Sequence, residues 1–167
     1  DQKTRMMGSK RDEKASPRAA VIYMPTDQLS FRLSYARSFV EAPYWYRYGS
    51  GAGTTGAANM IPEVFDSYQW TAELTAPTYL TQRLNLFANN AQGIVFKSPL
   101  DGIYGNSGDV KSRGVEYEAE VKRSNLSVRA NYTYQYALNT SQGWYTILYG
   151  QIPGIPMHMG NLLVDYA

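Results

Sequence analysis

The sequence contains no cysteine and a single histidine among its 167 residues. That excludes a disulfide framework and any thiolate metal site, and it leaves little for hydrolytic or metal chemistry to use. No run of about eighteen apolar residues occurs, so no segment can cross a bilayer as a helix. Charge is scarce as well. Sixteen Lys and Arg against fourteen Asp and Glu leave a net charge of +2, too small to point to nucleic acid. No signal-peptide pattern opens at Asp1, which is read as truncation of a longer chain rather than as a sign of a cytoplasmic protein.

What the sequence does have is tyrosine, fifteen copies of it, and alternation. Residues 113–138 show it most clearly. Val115, Tyr117, Ala119 and Val121 share one face of a strand, and Gly114, Glu116, Glu118 and Glu120 the other. After Ser124-Asn125, a connection short enough to close a hairpin, Leu126, Val128, Ala130, Tyr132 and Tyr134 alternate with Ser127, Arg129, Asn131 and Thr133. Folding there sets Val121 against Val128, Ala119 against Ala130, Tyr117 against Tyr132 and Val115 against Tyr134. The polar face pairs Glu120 with Arg129, Glu118 with Asn131 and Glu116 with Thr133. A slip of one residue would mix the two faces throughout. Each arm has the roughly ten residues that a tilted strand needs to span a bilayer.

The same pattern recurs along the chain. A strand over 18–24 is followed by turn residues at Pro25-Thr26-Asp27-Gln28 and a second strand over 29–39. Closing that hairpin directly would set Met24 against Leu29, Ile22 against Phe31 and Ala20 against Leu33. Arg37 has the parity of the apolar face and is expected to snorkel from the strand's far end. Strands follow over 65–76 and 82–90; Ile94, Val95 and Phe96 continue the latter after an irregularity at Gly93. Phe87 has inward parity there, against the pattern. Residues 40–63, 97–111 and 139–154 read as long loops, and a final strand begins near Pro156. Residues 1–16 are polar and aperiodic, a solvated segment.

Short connections near Thr26, Thr78 and Ser124 thus alternate with long ones near Gly51, Gly105 and Gly143. Outer-membrane barrels do this; a soluble sandwich has no such obligation. The expected fold is all-β, an antiparallel transmembrane β-barrel segment of about seven meandering strands. An odd number cannot close a bacterial barrel, and open edges are intolerable in lipid, so these strands belong to a larger barrel.

Several ordered pieces resemble the barrel of TonB-dependent outer-membrane receptors. They are Ser16-Pro17-Arg18 through Tyr23-Met24-Pro25, the stretch from Phe31 to Pro43, and Pro62-Glu63 after a long loop. Asn106 through Gly114-Val115-Glu116 and Ile155-Pro156-Met157-His158 complete the set. The resemblance covers most of the chain, making residues 1–167 one partial barrel domain without its plug or closing strands. It implies a barrel of about 22 strands in a Gram-negative outer membrane. That barrel would be plugged by an N-terminal domain through which TonB drives uptake of a scarce solute. An iron–siderophore complex, cobalamin or a glycan would fit; outer-membrane lipid would surround the wall, and no cofactor or nucleic acid is implied. A passive porin is the alternative, distinguished by lack of a plug, and a secreted β-rich glycan-binding protein is a third, distinguished by cell fractionation.

No catalytic constellation appears, so the chain is not read as an enzyme. Glu116, Glu118 and Glu120 invite a cation site, but a row of carboxylates paired with Arg129 and Arg83 accounts for them, and no metal is expected. His158 reads as structural. The glycines of 40–63 lack the Gly-Lys-Ser/Thr of a phosphate loop. The candidate ligand contacts are the aromatics and arginine of the long loops: Tyr44, Trp45, Tyr46, Arg47, Tyr48, Trp144 and Tyr145. A girdle of interfacial aromatics is the competing reading.

Overall fold

The computed structural model describes residues 14–48, 50–51, 54–55, 59–76, 79–97, 102–140 and 150–166. Seven strands form a single antiparallel sheet in which each long strand pairs with its successor. They are β1 (Arg18–Thr26), β2 (Leu29–Val40), β5 (Glu63–Thr75), β6 (Leu80–Lys97), β7 (Tyr104–Arg123), β8 (Leu126–Asn139) and β9 (His158–Tyr166). Between β2 and β5 lie a short helix, α1 (Tyr44–Tyr48), and two two-residue strands, β3 (Ser50–Gly51) and β4 (Thr54–Thr55), that pair with each other.

Cross-strand pairing at the central hairpin is the one the alternation predicts, from Val121 opposite Val128 to Glu116 opposite Thr133. Ser124 enters the turn with a φ of 51°, a left-handed conformation that a non-glycine residue adopts at a cost of about 1 kcal/mol. The β1–β2 hairpin departs from expectation. Tyr23 pairs with Phe31 and Val21 with Leu33, and the register shifts between Tyr23 and Thr26. The turn starts at Thr26, whose Oγ1 accepts the amide hydrogens of Gln28 at 3.3 Å and Leu29 at 3.1 Å. The residue before it, Pro25, has no N–H for a regular ladder, so the strand bulges. One extra residue reverses the parity: Tyr23 stacks on Phe31, 6.5 Å between ring centroids, and Ile22 lies opposite Arg32.

Two loops are also shorter on irregular structure than expected. Residues 40–63 contain α1 and the β3–β4 pair. Residues 97–111 are mostly strand, because β7 begins at Tyr104 and β6 runs to Lys97, which gives strands of 20 and 18 residues. The turn-forming side chains that hid this extension sustain it instead. Gly93, with φ 67°, interrupts β6 and frees backbone groups, and side chains from neighbouring strands take them. Asp109 accepts from the Gly93 amide at 2.8 Å and Glu63 from the Val95 amide at 2.6 Å. The Asn106 amide donates to the carbonyl oxygens of Ile61 and Gly93 while its Oδ1 accepts from the Ile61 N–H. A bulge satisfied on every side costs little.

The sheet has no second layer among the described residues. Ala137 is the only buried hydrophobic residue of its described strands, whereas Leu33, Tyr68, Leu162 and Val164 are each more than half exposed. Soluble sandwiches bury such a face against another sheet; here the apolar face needs lipid. The hairpin ends step along the sheet. Partners of Leu29 run through Leu74, Gln82 and Ala119 to Ala130, and β8 continues below that level to Leu126 before turning. This stagger is the shear of strands tilted in a barrel wall.

Candidate functional site

The polar face is the hollow one. A groove of about 660 Å³ runs along it, lined by residues that include Arg32, Thr71, Glu73, Arg83, Glu116 and Asn131. Its charges form a ladder across four strands. Arg83 bonds Glu73 at 2.8 Å and approaches Glu118 at 3.5 Å; Arg129 lies 4.0 Å from Glu118 and 2.6 Å from Glu120, which also meets Lys122 at 3.0 Å. Thr71 donates to Asn85, which donates in turn to Glu116 at 2.9 Å. Each of the three glutamates therefore has its own partner, and among the described residues no group of three His, Asp or Glu is placed to hold a metal ion. Phe87 shares the polar face, opposite Gln69 and Gly114. Its ring lies over Gly114, where a Cβ would collide with the ring and would come within 2.6 Å of the Tyr134 carbonyl oxygen. The aromatic covers the gap that glycine leaves in the strand, which explains the inward parity of Phe87.

Arg37 does not snorkel alone. Opposite it on the apolar parity sits Asp66, and the pair is bidentate, Nε to Oδ1 at 2.7 Å and Nη2 to Oδ2 at 2.9 Å. Tyr35 donates its hydroxyl to the same carboxylate at 2.8 Å, and Asp66 is only 5% exposed. His158 takes a comparable position on β9, its Nδ1 2.7 Å from the Tyr132 hydroxyl and its ring beside Tyr134.

The loop candidates divide. In α1 the Pro43 carbonyl accepts from the amides of Tyr46 and Arg47, but five residues cannot hold a helix by themselves. Docking holds this one. Tyr46 stacks on Tyr104 with centroids 3.9 Å apart and planes 12° off parallel, and Lys97 approaches the Tyr104 ring at 5.9 Å. The hydrogen bond between the two tyrosine hydroxyls, more than charge or burial, raises the pKa of Tyr46. Arg47 is buried, 6% exposed. Tyr44 and Trp45 remain outside, 57% and 58% exposed. Of the residues named from the sequence, then, Tyr46 and Arg47 anchor the helix while Tyr44 and Trp45 face solvent. The Tyr48 side chain, Trp144 and Tyr145 lie outside the described residues. Sequence reasoning missed the roles of Asp66, Asp109 and Tyr104, which have no periodic signature because their partners are distant in sequence.

A meandering antiparallel sheet with one bare apolar face, one hollow polar face and sheared hairpins defines the wall of an outer-membrane type of β-barrel. Residues 3–167 match the family described as TonB dependent receptor-like, beta-barrel, and the chain belongs to that family. No match was found among curated proteins. Among solved structures, the siderophore receptor PiuA of Acinetobacter baumannii shares 21% identity at a TM-score of 0.70, over 90% of this chain and 23% of that one. The pyoverdine receptor FpvA of Pseudomonas aeruginosa gives 18% and 0.70, over 90% and 22%. The ferric-catecholate import receptor Fiu of E. coli gives 19% and 0.66, over 89% and 22%. The chain spans about a fifth of the length of these receptors.

Proposed function

We propose that this chain forms a sector of an outer-membrane barrel of about 22 strands that takes up a scarce solute by TonB-coupled transport, and that it is not an enzyme. The observation that carries the reading is the sheet's two-faced character together with its open ends. β1 and β9 stand at the edges of the sheet, and unpaired edges are too costly in lipid to be left uncovered. Further strands and a plug within the polar hollow would complete it. An iron–siderophore complex is the proposed cargo class, supported by the ligands named for PiuA, FpvA and Fiu. Tyr44 and Trp45 are the proposed first contacts, with Tyr48, Trp144 and Tyr145 as further ones. Rigid, amphipathic aromatics give contact area at low entropic cost. Tyr46 and Arg47 would act by holding α1 in place.

The test is uptake of a radiolabelled ferric siderophore by cells expressing the intact protein. Uptake should fractionate with the outer membrane and cease when a protonophore collapses the inner-membrane gradient. Flux that survives the protonophore would establish a passive pore instead.

A further inference from the structure

The apolar face ends at a repeated position. Counting outward residues from the short-turn end, β2 presents Leu29, Phe31, Leu33 and Tyr35, and then Arg37. On β5 the series is Leu74, Ala72, Trp70 and Tyr68, then Asp66; on β7 it is Val121, Ala119, Tyr117 and Val115, then Arg113. β9 presents Tyr166, Val164, Leu162 and Gly160, then His158. On β6 the outward Leu84, Leu86 and Ala88 likewise give way to Asn90, although Gln82 lies below them, and β8 stays apolar to Leu138. Eight residues at about 3.4 Å each, in strands tilted by about 40°, rise about 21 Å. That is close to the apolar height of an outer-membrane wall, so the fifth position marks the level where hydrocarbon gives way to headgroups.

The groups at this margin are not equivalent. Arg37 is neutralised by Asp66, and His158 by its bond to Tyr132 has a neutral partner. Arg113 and Lys111, two residues apart on the same outward face of β7, are both exposed. Neither side chain has an ion-pair or hydrogen-bond partner among the described residues. Across from Arg113 stand Ala88 and Tyr136, and across from Lys111 stand Asn90 and Leu138, so no carboxylate faces either from the adjoining strands. On the polar face, by contrast, Arg83, Arg129 and Lys122 each contact a glutamate.

We infer that Lys111 and Arg113 form a docking site for a phosphate-bearing lipid headgroup of the outer leaflet. The inference rests on the barrel reading above. Two cations about 7 Å apart along one strand face match an anionic headgroup in both charge and height, and Tyr136 supplies an amphipathic ring beside Arg113. Anionic lipid attracts each such residue independently of sequence elsewhere.

The intact protein, reconstituted with a phosphorylated lipid or with its dephosphorylated counterpart of the same acyl chains, tests this by native mass spectrometry of retained lipid. Wild-type protein should retain the phosphorylated form preferentially. Lys111→Gln with Arg113→Gln should lower that retention about tenfold and leave the dephosphorylated lipid unaffected, and exchanging the two residues as Lys111→Arg with Arg113→Lys should restore it. Arg113→Gln alone, the milder change, should lower retention about threefold. Unchanged preference in either glutamine variant overturns the site, as does equal loss of both lipids. Incorporation into lipid with no headgroup preference would refute this site and leave the barrel intact; failure of wild-type protein to enter any lipid would refute the barrel reading itself.

Discussion

Replacing Arg37 by alanine is expected to cost more stability than neutralising Asp66, although both changes break the same ion pair. The Asp66 side chain is 6% exposed and Arg37's is 43% exposed. Without Arg37, the carboxylate keeps only the Tyr35 hydroxyl as a donor in place of three hydrogen bonds, at a site where the rest of the Asp66 side chain is enclosed. Stranding a buried charge costs about 3–5 kcal/mol, and the open side of the arginine places this case near the lower figure. Asp66→Asn strands no buried charge. The guanidinium is already half in solvent, an amide oxygen still accepts from Tyr35, and the loss is about 1.5 kcal/mol. Replacing both, Arg37→Met with Asp66→Leu, removes the pair and its desolvation together and should be close to neutral. Urea unfolding of the intact protein in detergent micelles, followed by tryptophan fluorescence, measures all three, and the double-mutant cycle isolates the coupling. If Arg37→Ala costs no more than Asp66→Asn, or if the double variant is as unstable as the sum, the pair is not a buried carboxylate satisfied by its arginine.

The other expectations concern the wall and the helix above it. Gly114→Ala should destabilise by about 1–3 kcal/mol, and adding Phe87→Ala should recover only part, because the Tyr134 carbonyl stays in the way; thermal unfolding of the three proteins decides this. Asn106→Ala removes three hydrogen bonds that tie Ile61 to Gly93, so limited proteolysis should cut residues 41–62 several-fold faster while the strands stay resistant. Tyr46 has a raised pKa, so the proton it holds in the folded protein contributes stability that is intact below the ordinary tyrosine value and drains away as pH rises through the raised one. A difference titration against Tyr46→Phe should show one late-ionising hydroxyl, which Tyr104→Phe brings back down; an ordinary titration would remove the helix anchor. Trp45→Ala with Tyr44→Ala should lower siderophore affinity about tenfold or more without changing unfolding, whereas Arg47→Ala should change the unfolding of the loop.

The alternation made the hairpin of β7 and β8 legible to the residue, because a period of two with opposite chemistry on the two faces admits one register. The same reasoning misplaced β1 by one residue. Pro25 and Thr26 both carry turn signals, and the amide hydrogens captured by Thr26 Oγ1 decide which residue opens the turn. Asn106 and Asp109 likewise read as loop, since their side chains usually compete with the backbone. In the folded chain they serve the bulge at Gly93, which lies on another strand. The candidate site was legible by residue type alone. All five positions of α1 carry aromatics or arginine, and nothing local distinguishes Tyr46 and Arg47, turned toward the barrel, from Tyr44 and Trp45, turned away.

By itself, then, the sequence determined the strands, their two faces and the order of short and long connections, since those depend on side-chain periodicity within a dozen residues. It also placed Glu116, Glu118 and Glu120 on the polar face with Arg83 and Arg129. Tertiary structure decided what periodicity does not encode. It joined Arg37 to Asp66 across 29 residues, laid Phe87 over Gly114, buried Arg47 and left Lys111 and Arg113 bare at the edge of the apolar belt. Each of these is a meeting of residues from different strands, settled by register and shear, and a local pattern carries information about neither.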